Sequence, residues 1–336
     1  MVKLIGNMNS TNVKIKPVPP SLMKSLMAGF DAISNHVGLL FFTLSFDIFL
    51  WFGPRLRLAG LFESTFDREI ELSDVSNTEV LKIFESFSQD FNLFSVLRTF
   101  PIGIPSLMAV RSPQITPFGV PTSWEVRSIG AAFGFWVFFT IIGAIVGAFY
   151  FMAVAQAAYD RNVRWKVTFR RWPWTSAQTL LLTAFWLALI FSAFTLLGCA
   201  LSFLLIGSGI GLEQLSLILL LVFVGIMIWV LIPLLFSPHG LFFERSKMWA
   251  SVVKGARLTR MTLPTTALLF LTIFIISEGL RLLWNIPPDD SWLSLVGIIG
   301  HAFVTSSLLA ASFIYYRDAD RWLRDVVKQA QSQPVI

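Results

Sequence analysis

The chain has 336 residues, 55% of them hydrophobic and only 14% charged, with a mean hydropathy of +0.70 and a net charge of +6. Soluble domains carry roughly 25% charged residues, so this composition excludes an ordinary soluble domain and directs the basic balance toward a membrane before a nucleic acid. The single cysteine, Cys199, excludes an intrachain disulfide and a cysteine-built metal site.

The first twenty residues hold neither an apolar core nor a small-residue cleavage site, so no cleaved secretory signal is expected there. Crossing a bilayer as a helix takes about 20 mostly apolar residues. Six segments qualify: 37–52, extendable backward through 26–33, then 129–159, 177–206, 214–236, 264–284 and 292–316. The expected fold class is therefore all-α, a polytopic integral membrane protein of six transmembrane helices in one domain, 1–336.

The connecting charges set the orientation. Segments 1–36, 160–176 and 237–263 and the tail 317–336 are net positive, whereas 53–128, 207–213 and 285–291 are net negative. The positive-inside rule puts both termini and the basic loops in the cytoplasm, with the plasma membrane as the expected location.

The 53–128 loop is then extracytoplasmic. It is too long for a plain connector. Ser76 and Glu79 have capping-box spacing, and Val80, Ile83, Phe84, Phe87, Phe91 and Phe94 keep helical spacing, which predicts an amphipathic helix near 77–99. Pro and Gly in PIGIPSLM and SPQITPFGVP disfavour helix beyond it. The helix either covers the bundle or outer membrane surface, or docks a protein partner.

A basic, aromatic approach precedes spans one, three and five, which predicts three amphipathic elbow helices. Trp165, Arg170, Arg171 and Trp172 are the expected membrane-surface anchors before span three. Trp249, Lys254, Arg257 and Arg260 take that role before span five. On a helical wheel Met248, Trp249, Val252, Val253 and Ala256 fall opposite Lys247, Lys254 and Arg257. Such a helix lies in the interface with its cations toward anionic headgroups, so membrane lipids are the expected partners and nucleic acid is not.

The order Trp249, Ser251, Val252, Gly255, Leu258, Thr259, Arg260, before an apolar span, resembles the membrane domain of the glycerophosphoryl diester phosphodiesterase family and its free-standing relatives. Tyr315, Tyr316, Arg317 and Asp318 after the last span add to the likeness. Ser251 stands where Ala is usual, and Gly255 where Ser is usual. The resemblance implies a helical membrane domain. It does not imply phosphodiesterase activity, because the family's catalysis belongs to a separate barrel domain that this chain lacks.

No catalytic constellation, cofactor motif or metal-ligand spacing stands out. His36, His239 and His301 are scattered, and the near neighbours His239 and Glu244 form at most an interfacial pair. Gly143-x-x-x-Gly147 suggests close helix packing, and GSGIG at 207–211 lacks the context of a phosphate loop. The remaining candidate is an intramembrane polar cluster of Asp47, Glu278, Arg281 and His301, since ionisable groups in spans usually face the interior and pair. Glu278 and Arg281 are i, i+3 neighbours, and Asp47 is expected to reach Arg281 if spans one and five adjoin. Two readings follow. One is a non-enzymatic scaffold that organises lipids or partners. The other is a transporter or lipid-handling permease with an outer-leaflet polar site.

Overall fold

A computed structural model describes residues 19–61, 91–160, 162–208, 212–244 and 246–331. The described residues are mostly helical. It opens with α1 (Leu22–Ser34), a 3-10 turn (Val37–Leu39) and α2 (Leu40–Phe52). The described part of the long loop holds β1 (Arg55–Arg57), a 3-10 turn (Leu93–Arg98), the one-turn α3 (Met108–Arg111) and β2 (Ser123–Glu125). The long helices α4 (Ile129–Asp160), α5 (Trp165–Ser208) and α6 (Leu212–Leu234) follow. The last third contains α7 (His239–Phe243), α8 (Met248–Met261), α9 (Leu263–Trp284) and α10 (Ser294–Gln331).

Among the described residues five helices, α4, α5, α6, α9 and α10, are long and apolar enough to cross a membrane. The α1–α2 pair makes a sixth span if counted as one, but it is bent by 83°. The bend has a local cause. Asn35 N still donates to Asp31 O (3.1 Å), but His36 N turns to Ile33 O (2.9 Å) and the His36 ring Nδ1 lies 2.8 Å from Ala32 O, the carbonyl a continuing helix would use next. A second break separates α8 from α9. Pro264 sits in the first turn of α9, where its missing N–H costs nothing, and it disfavours helical backbone in the residue before it. Pro173, in contrast, leaves α5 continuous over 44 residues. Thus the approach to span three is the first turns of one unbroken helix, not a separate segment.

The two ends of the bundle differ. At the loop end, Trp51 Nε1 donates to Asp289 O (3.0 Å), and Arg111 Nε pairs with Asp289 Oδ1 (2.5 Å). At the basic end, Lys254 Nζ pairs with Asp320 Oδ1 (2.9 Å), and the Arg317 guanidinium lies over the Tyr159 ring. The described loop is folded in itself. β1 and β2 pair in parallel, and Arg55 and Arg57 share Gln114 Oε1 at 3.0 and 2.7 Å. Of the expected helix near 77–99, residues 77–90 lie outside the described residues. From Leu93 to Arg98 the backbone is a 3-10 turn, with the Asn92 side chain accepting from Phe94 N.

The core is built on α4 and α10. Their small residues, Ala144, Ala148, Ala153 and Ala157 with Ala302, Ala310 and Ala311, are buried and let neighbours approach closely. By contrast α5, α6 and α9 expose large apolar side chains such as Phe191, Trp229, Phe274 and Leu282.

Each leading segment docks on another part of the chain. The first turns of α5 lie on α4, with Trp172 Nε1 donating to Ile145 O (2.7 Å). Helix α8 lies on the turn after α6: a Cβ on Gly255 would sit 2.8 Å from the Phe236 carbonyl carbon, and Ser251 Oγ donates to Ser237 O (2.6 Å). Helix α1 crosses α10, where a Cβ on Gly29 would sit 2.6 Å from Ala311 N. The first turns of α5 thus rest on α4, α8 on the turn after α6, and α1 on α10.

Candidate functional site

Helix α2 carries Asp47 into the interior, fully buried. Its Oδ1 accepts from Ser106 Oγ (2.5 Å) and from Met108 N (2.9 Å), while Ser106 Oγ accepts from Ala109 N (2.9 Å). Oδ2 has no hydrogen-bond partner among the described residues. A buried carboxylate half-satisfied in this way is costly unless something else compensates it.

The segment that meets Asp47 comes down from the loop end and lies along the middle of α4. Gly143 faces the Leu97 carbonyl and the Thr99 side chain. A Cβ on Gly147 would sit 2.8 Å from Ile102 O and 2.9 Å from Gly103 Cα. The Gly143-x-x-x-Gly147 step therefore admits the backbone of this re-entrant segment, not another helix, correcting the sequence expectation. Backbone approaches closer than side chains allow, so only glycine fits.

Arg98 ends the 3-10 turn of this segment. It is exposed, and it lies near enough to Asp47, Glu278, Arg281 and His301 for their charges to be felt, without an ion pair to any of them among the described residues. It joins the four residues singled out from the sequence. On α9, Arg281 Nε and Nη2 both bind Glu278 Oε2, at 2.7 and 2.5 Å. Their side chains keep 32% and 38% of their surface exposed, which places them at the edge of the bundle. His301 is buried on α10, and its Nδ1 has no hydrogen-bond partner among the described residues. Helices α2 and α9 both pack on α10 and share no substantial contact. With Arg98 these residues bring two acids, two guanidiniums and an imidazole to one part of the bundle, with Asp47 and His301 enclosed and Arg98, Glu278 and Arg281 open to the surface. Among the described residues, no group of three or more His, Cys, Asp or Glu is placed to hold a metal ion.

Two contacts that the sequence allowed do not form among the described residues. Asp47 makes no ion pair with Arg281, because Ser106 and Met108 take one oxygen and Glu278 takes the guanidinium. His239 does not meet Glu244. Its Nε2 lies 2.9 Å from Ser312 Oγ, amid Phe236, Phe313 and Tyr316, while Glu244 pairs with Lys254.

Among the residues expected at the membrane surface, Trp165, Arg170, Trp249, Arg257 and Arg260 are exposed and Arg171 is half-buried. Trp172 packs on α4 through its indole N–H, and Lys254 bridges Glu244 and Asp320. The wheel of α8 also divides differently. Its buried stripe is Ser251, Val252, Gly255, Leu258 and Thr259, whereas Trp249 and Val253 face outward. Small residues at Ser251 and Gly255 are what the contact with Phe236 and Ser237 requires.

Arg98 and Ser106 were not legible as site residues. Arg98 reads as one of many loop charges, and Ser106 sits in a Pro- and Gly-rich stretch. Arg98's apolar flanks, Val96, Leu97 and Phe100, are the one feature that sets it apart from the other loop charges. Comparison with family models, with curated proteins and with solved structures gave no match. The family likeness thus rests on the α8 residues and the Tyr315–Asp318 cluster alone.

Proposed function

We propose that this chain is a non-enzymatic, six-span lipid-handling protein of the plasma membrane, with its basic end in the cytoplasm and its loop end outside. The observation that carries the reading is the Glu278–Arg281 pair, one third exposed on α9 and flanked by the outward-facing Ile275 and Leu282. Charged groups bordering a lipid-facing surface suit a ligand that arrives sideways from the bilayer with its polar head leading. Arg98 and Arg281 would take a phosphate, and Glu278 an amine. The charge alternation of the connecting segments supports the orientation.

The test is reconstitution into liposomes containing a trace of fluorescent zwitterionic phospholipid, with an impermeant reductant reporting the outer-leaflet fraction. The wild-type protein is expected to speed exchange between leaflets over protein-free vesicles. The R98Q and R281Q variants are expected to lose about tenfold in rate, the scale of one charge-assisted hydrogen bond. Exchange at the protein-free rate refutes the reading.

One observation favours the scaffold alternative. Between α5 and α6 lies an apolar groove of about 410 Å³, lined by Ala193, Leu196, Phe223 and Met227, on a largely exposed hairpin. A membrane partner seated there would co-purify in mild detergent and would be lost with a Leu196→Asp variant.

A further inference from the structure

At the basic end, the last turns of α10 run beyond the core and face α8 across a cleft of about 700 Å³. The two walls are chemically divided. Val253, Met261, Leu323 and Val327 supply an apolar lining, and three of them, Val253, Met261 and Val327, expose more than two fifths of their surface. Four cations border the same cleft, against one acid, Asp320. Asp320 is nearly buried and already engaged: Lys254 Nζ lies 2.9 Å from Oδ1 and Arg324 Nη2 lies 2.7 Å from Oδ2. It fixes the two cations in place and leaves no acid for the others. Arg257 and Lys328, both exposed, have no acidic partner among the described residues.

An apolar floor with unpartnered cations at its rim matches one ligand chemistry, acyl chains joined to a phosphate. We propose that the α8–α10 cleft is a binding site for an anionic glycerophospholipid of the adjacent leaflet. Its chains lie on Val253, Met261 and Val327, and its phosphate is held by Arg257 and Lys328. The site is separate from the charged cluster at the loop end and does not depend on its role. A water-soluble anion would use only the cations, and a zwitterionic lipid would bring an ammonium next to them. Arg257 and Lys328, the two cations without an acidic partner, therefore select a lipid of net negative charge.

The experiment is native mass spectrometry of the full chain in mild detergent with an equimolar mixture of phosphatidylglycerol and phosphatidylcholine. The wild-type protein is expected to retain phosphatidylglycerol over phosphatidylcholine by about tenfold, since each basic residue near an anionic headgroup contributes on this scale. R257Q/K328Q is expected to abolish the preference. K166Q/R170Q, an equal charge change on α5, is expected to keep it. V253S/V327S, which leaves every cation in place, is expected to lower retention of both lipids. Four outcomes overturn the proposal: no preference in the wild type, an unchanged preference in R257Q/K328Q, an equal loss in K166Q/R170Q, or displacement of the lipid by millimolar inorganic phosphate.

Discussion

Asp47 shows what one buried carboxylate does here. It holds the Ser106 hydroxyl and the Met108 amide, and so joins α2 to the re-entrant segment. Removing the acceptor strands two buried donors. Asp47→Ala is expected to cost about 3 kcal/mol, seen as a lower unfolding midpoint by tryptophan fluorescence in detergent. Asp47→Asn, which keeps one acceptor oxygen, should cost less than half of that. The glycines offer an internal contrast. Gly29 touches Ser307 and Ala311, so Gly29→Val forces α1 off α10 and is expected to cost about 3 kcal/mol or more. Gly279, in the middle of α9, has open space beside it, so Gly279→Ala is expected to stabilise by up to about 1 kcal/mol, through helix propensity alone. The same unfolding assay ranks both.

At the scale of elements, the re-entrant segment from Leu97 to Met108 does most to shape the charged cluster. It carries Arg98 to the charged groups and lies in the groove that Gly143 and Gly147 open in α4. Gly143→Leu closes that groove. In a Cys199→Ser background, a cysteine at Thr99 should then react with a maleimide about tenfold faster, because overpacking of this kind shifts a local opening by 1–3 kcal/mol, roughly. An unchanged rate would mean that the segment does not rest on those glycines. The long helices were legible in the sequence because length and apolarity are local properties. The bend at Asn35 and His36 was not, since it depends on the His36 side chain turning back onto a carbonyl one turn earlier. The continuity of α5 through Pro173 was hidden too, because the missing N–H frees only the Phe169 carbonyl and the packing on either side keeps the helix running. Four of the cluster's five charged or ionisable members could be named because they interrupt apolar spans. Arg98 could not, because it reaches the cluster from a loop some forty residues before its glycine groove.

For the whole molecule, orientation is the first quantity to measure. Phe118 at the loop end is 79% exposed, and Arg170 is exposed at the basic end. Cysteines at these positions, in the Cys199→Ser background, should label oppositely with an impermeant maleimide on intact cells. Phe118→Cys should react at once and Arg170→Cys only after permeabilisation; the reverse pattern would invert the bundle and move the charged cluster to the cytoplasmic leaflet.

The docking of α1 on α10 also orders events in time. During synthesis α1 leaves the ribosome well before α10, the helix it rests on. Its glycine face stays without that partner until α10 has been inserted. A chain stopped before α10 would hold every earlier contact and still display that unmatched face, a mark by which a cell's quality-control machinery could tell an unfinished copy from a finished one.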